Sequence, residues 1–203
     1  NAVSATPEAK PGASIDYAEE ELTDLVAGAG YLIDGAPHDA DAHGDIAIEG
    51  GWFGETLSIV KKGNGTTTED SEAQSLAVPA RPAAPAGIGK TDETGIDLNN
   101  GAITGVTDAM EYKLSGASAW TACPAGAVTG LAPGAYLVRH RATASAFASA
   151  AAQVEIVEFM PAYALSVTAP AFAAVTDGYG TVAAKPITIA NIGNTQADIA
   201  SVT

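Results

Sequence analysis

The sequence predicts an all-β chain made of small sandwich domains in tandem, and three observations carry that prediction. Leu22, Tyr31 and Gly35 recur as Ile103, Tyr112 and Gly116, each displaced by 81 positions, and a fixed period marks copies of one folding unit. Short alternating runs rich in Val, Ile, Thr and Tyr are separated by Gly, Pro and Asp–Gly turn signals at close spacing. Between them there is no amphipathic helical pattern of the length that a βαβ enzyme needs.

Taken in order, residues 1–14 are rich in Ala, Pro and Ser and read as an extended lead-in. Residues 15–17 form a first strand and residues 22–25 a second. A short helix over 17–25 competes there, because Glu19-Glu20-Glu21 favours helix. The second copy, Gly101-Ala102-Ile103-Thr104-Gly105-Val106, is Gly-rich and β-branched at the same place, which favours a strand. Tyr31-Leu32-Ile33 is closed by Asp34-Gly35, a hairpin signal. Residues 36–45 read as a surface loop, followed by strands at 46–48, 56–61 and 75–78.

Three prolines in Pro79-Ala80-Arg81-Pro82-Ala83-Ala84-Pro85-Ala86 favour polyproline II and predict a stiff spacer. The unit then restarts, with strands at 103–106, 111–114, 119–121, 127–129, 136–139 and 153–157. After Met160-Pro161 come strands at 163–167 and 185–191, a loop containing Asp177-Gly178-Tyr179-Gly180, and a third strand at 197–202. Three strands cannot close a sandwich, which needs about seven. The predicted division is therefore a first sandwich over 1–79, a linker at 80–86, a second sandwich over 87–160 and a partial third domain over 161–203.

Composition narrows the function. Nine basic against 24 acidic residues leave a net charge of −15, which repels phosphate backbones and anionic lipid and argues against nucleic-acid or membrane-surface binding. Cys123 is the single cysteine, so neither an internal disulfide nor a Cys-based zinc site is expected. No apolar run reaches the length of a membrane helix. No basic leader precedes an apolar stretch at Asn1, so the chain reads as an internal segment of a longer protein.

With these residues in view, the chain resembles the tandem Ig-like or fibronectin-like repeats of large cell-wall-anchored surface proteins of Gram-positive bacteria. The residues that carry the likeness are the run from Trp52-Phe53-Gly54-Glu55 to Gly63-Asn64-Gly65 and residues 73–82. Further on they are Met110-Glu111-Tyr112, Trp120-Thr121, Gly134-Ala135-Tyr136-Leu137-Val138-Arg139, and Lys185-Pro186-Ile187-Thr188-Ile189-Ala190-Asn191. The resemblance implies Ig-like/fibronectin-like sandwiches, an extracellular, cell-wall-attached location, and neighbouring domains of the same parent protein as partners.

Two site hypotheses arise. In His38-Asp39-Ala40-Asp41-Ala42-His43-Gly44-Asp45, the carboxylates of Asp39, Asp41 and Asp45 are candidate ligands for calcium, against the reading of a solvated loop that lacks EF-hand order. Trp52 and Phe53, with Trp120, are candidates for stacking a host glycan, against the reading of one core Trp per sandwich. Lys61, Lys185, Asn64 and Asn191 offer the parts of an isopeptide bond without a fixed pairing. Gly87-Ile88-Gly89-Lys90-Thr91 ends like a phosphate loop but has Ala84 where that motif has its first glycine. No catalytic motif stands out, and the expectation is a non-catalytic stalk or spacer, with an adhesin or carbohydrate-binding module as the alternative.

Overall fold

A computed structural model describes residues 5–171, 174, 177, 178, 180, 181 and 183–196. The described residues contain no helix, and the fold is all-β, built from small sheets that are almost entirely antiparallel. The first strands are β1 (Thr6–Pro7), β2 (Ser14–Asp16), β3 (Glu21–Thr23), β4 (Gly30–Ile33) and β5 (Ala36–Asp39). They are followed by β6 (Ile46–Ala47), β7 (Thr56–Lys61), β8 (Thr68–Glu69) and β9 (Gln74–Ala77). A three-stranded sheet in the order β2-β3-β6 faces a four-stranded sheet in the order β5-β4-β7-β9.

Period-2 alternation sets the inward face. Tyr31 and Ile33 of β4 and Leu57 and Ile59 of β7 point in, meeting Leu22 of β3 and Ile46 of β6 in one core. Each fully buried aliphatic side chain of this set stabilises the fold by about 1.5–3 kcal/mol relative to exposure.

The next strands are β10 (Gly89–Thr91), β11 (Gly101–Val106), β12 (Met110–Leu114), β13 (Thr121–Ala122), β14 (Gly126–Leu131), β15 (Gly134–His140) and β16 (Ala152–Ile156). Their sheets run β10-β11-β14 and β13-β12-β15-β16, the same strand order as before. Ile103, Val106, Val128, Tyr136, Val138, Val154 and Ile156 fill the core between them. Tyr136 donates its hydroxyl proton to Ala132 O at 3.0 Å, a contact like the tyrosine corner of immunoglobulin sandwiches.

Backbone details match at equivalent positions. Asp24 and Gly105, 81 apart, both have positive φ, at 62° and 76°. Asp24 fits this region because Asp, like Asn and Gly, tolerates it better than bulky residues do. At Gly105 a side chain would press on Gly87 O. A serine staples each of the two long central strands. Ser71 Oγ accepts the N–H of Lys61 at 2.9 Å and donates to Glu72 O. Ser149 Oγ accepts the N–H of His140 at 2.9 Å and donates to Ala150 O. Both serines are buried and satisfied, as buried hydroxyls must be.

Several expectations change on contact with the structure. The stretch read as a loop over 36–45 begins as β5, paired from Ile33↔Ala36 to Gly30↔Asp39. Asp34 and Gly35 have φ of 51° and 84°, a two-residue turn of the I′ kind, and that turn brings whatever follows into register. Pro37 is accommodated because β5 is an edge strand. The lead-in is tied down: β1 pairs in parallel with β8, and Lys61 Nζ lies 2.8 Å from Glu8 Oε2. No helix forms over 17–25, where β3 follows a turn. Beyond residue 160, β17 (Leu165–Thr168) and β18 (Thr188–Asn191) make a two-stranded antiparallel sheet. The strand expected at 197–202, and Tyr179 of the 177–180 loop, lie outside the described residues.

Candidate functional site

The aromatic candidates lie outside the strands, Trp52 and Phe53 in the turn before β7 and Trp120 just before β13, and they differ in what covers them. Trp52 follows a turn in which its N–H donates to Glu49 O, and it is 9% exposed within the first core. Its ring meets His38 edge-on at 5.2 Å. Phe53, the next residue, packs against the same core and is half-buried beneath two groups from later in the chain. The Phe147 ring stands T-shaped against it at 4.9 Å, and the Arg81 guanidinium lies 4.4 Å from its centroid. Trp120 is half-buried outside the second core, with Arg139 at 4.1 Å and Lys113 at 4.8 Å from its ring. Arg139 is itself held by Glu111 at 2.7 Å. These rings are therefore engaged by core, aromatic and cationic neighbours of the same chain, each a favourable contact in its own right.

The acidic candidates separate. Asp39 sits on β5 opposite Gly30, whereas Asp41, His43 and Asp45 gather in the following turn with ligand atoms within 4.8 Å of one another. Asp41 Oδ1 accepts the N–H of His43 at 2.7 Å and of Asp45 at 3.0 Å. These backbone donors, Asp45 first, hold its carboxyl below the usual carboxylate range. Glu21, on β3, is shifted upward by burial and then by the charges of Asp45 and Asp41. Two carboxylates and one imidazole fall short of the six to eight oxygens that calcium takes, so at most they would anchor an ion otherwise held by water.

The remaining chemical candidates are engaged locally. Cys123 is buried, and burial pushes its thiol up, away from thiolate reactivity. Asn64 Oδ1 accepts the N–H groups of Thr66, Thr67 and Thr68 and shapes its own turn. Asn191 donates to Thr195 O, and Lys185 Nζ donates to Ala171 O. Gly89-Lys90-Thr91 is strand β10.

A cluster of aromatic, cationic and acidic groups lies where the two sets of sheets meet, and sequence reasoning missed it. Phe147, from the segment between β15 and β16, is 1% exposed and belongs to the core of the first set. Its ring lies 4.9 Å from those of Tyr17 and Phe53. Arg81, read in sequence as part of a stiff spacer, donates to both carboxylate oxygens of Glu20 at 2.7 and 2.6 Å and to Ala148 O at 3.0 Å. The paired guanidinium holds the Glu20 carboxyl below its ordinary range despite burial. A shallow groove of about 440 Å³ runs beside this junction, lined by Ile15, Asp16, Tyr17 and Thr23 on one side and Ala142 and Thr143 on the other. One signal was present in the sequence: Phe147 is the only bulky residue in the run of Ala, Ser and Thr from 142 to 152.

No family model matches the chain, and no curated protein is similar to it.

Proposed function

We propose that this chain is a non-catalytic spacer from a bacterial surface protein, made of tandem Ig-like sandwiches that hold another domain away from the cell wall. The observation that carries the reading is that one strand order occurs twice in series, with the second set of sheets seated on the first. Such an arrangement gives length and orientation, which is what a stalk supplies. The acidic surface keeps neighbouring copies apart and the chain in solution. Fold alone does not settle function, so the resemblance in sequence is what points to the surface location.

The alternative, an adhesin or carbohydrate-binding module, draws on the Asp41–His43–Asp45 cluster, whose exposed oxygens could bring a cation to a polar ligand. Tryptophan emission of the full chain, titrated with calcium and with a panel of host glycans, separates the two. The spacer reading expects blue-shifted Trp52 emission, protected from aqueous quenchers and unchanged by every addition. A saturable change with any glycan, with or without calcium, overturns it.

A further inference from the structure

We propose that the segment from Arg141 to Ala150 is a clasp that locks the joint between the two sets of sheets, so that they behave as one rigid, jointly folding body. The default for two linked sandwiches is relative motion, unless a substantial apolar interface opposes it. Here the second set contributes a whole aromatic side chain to the core of the first. Burial of a Phe removes about 150–250 Å² of surface from water, and at 1% exposure Phe147 realises nearly all of that.

The segment is shaped for insertion. It leaves β15 where Ser149 staples His140, and Arg141 donates to Asp108 O on the neighbouring turn. The tip is closed by the N–H of Thr143 on Ala146 O at 2.9 Å. The small side chains of Ala142, Ala144, Ala146 and Ala148 let its backbone approach closely and leave Phe147 as the projecting anchor. The linker is held from both sides at the same point. Arg81 bonds Glu20 in the first set and Ala148 O in the second, while covering the face of Phe53. The N–H of Ala150 donates to Pro82 O at 2.9 Å. A stretch that composition marks as a polyproline spacer is thus the middle layer of a packed joint.

The same position in the first set does a related job. The turn after β7 carries β8, which grips the preceding chain through its parallel pairing with β1. In both sets, therefore, the segment before the last strand reaches back to what precedes it. The clasp goes beyond the spacer reading and would orient the chain equally in an adhesin.

The test is a pair of spin labels on the full chain, at Thr66→Cys and Ser118→Cys in a Cys123→Ala background, read as a distance distribution. A narrow distribution is expected, broadening at least about two-fold in Phe147→Ala and in Arg81→Gln as the default motion returns. Should Phe147→Ala unfold the first set, Arg81→Gln, which removes the charge and keeps the core ring, carries the test alone. A broad distribution in the parent chain overturns the clasp, and so does a distribution equally narrow in a folded variant.

Discussion

The two sets of sheets share a strand order but close their cores differently. The second is self-contained: every buried member of its core comes from residues 103–156. The first takes Phe147 from its neighbour and, in exchange, keeps its own Trp52 inside. The second leaves Trp120 outside, under Arg139 and Lys113. A shared strand order in the main sheets thus coexists with unequal independence. The difference arises in the segment before the last strand, where the backbone is free to vary between fixed β ladders.

The largest expected effects probe that inequality directly. Leu22 and Ile103 occupy equivalent positions on β3 and β11, and both are fully buried. Leu22→Ala and Ile103→Ala should each cost about 2–5 kcal/mol in denaturant unfolding. Because the sets are coupled through Phe147, either substitution should shift one shared transition. Independent sets would instead show one half of the signal moving and the other staying in place.

A smaller effect is expected with acid. The Glu20 carboxyl is depressed by its hydrogen bonds to Arg81, so its contribution is fully present above the ordinary carboxylate range. It disappears as pH falls through the depressed value. The spin-label distance distribution should therefore broaden as pH falls below the ordinary carboxylate range, by the loss of about 1 kcal/mol for a partly exposed ion pair. In Arg81→Gln the width should no longer respond to that titration. Glu21, shifted in the opposite direction, favours the folded state on protonation and so cannot account for loosening in acid.

Much of this architecture was legible in the sequence because a strand's alternation is a local property. The strand over Thr56–Lys61 was read at its observed limits, and those at 103–106 and 136–139 lie within β11 and β15. The turn at Asp34-Gly35 was equally plain, but its consequence was not. A two-residue turn forces pairing on the residues after it, and the Pro, His and Asp of β5 show no strand propensity of their own. The candidate site was the least legible part. Trp52, Phe53 and the acidic turn were visible as residue types, but a sequence does not say what covers a ring or which carboxylates converge. Phe147, Arg81 and Glu20 come from three separate stretches, and only tertiary packing brings them together.

Calorimetric unfolding of the full chain tests most directly whether the joint is part of the fold. A single transition for the two sets of sheets, which splits into two in Phe147→Ala with the earlier one reported by Trp52, is the predicted result. Two separate transitions already present in the parent chain, or a Phe147→Ala profile that matches the parent, would contradict it.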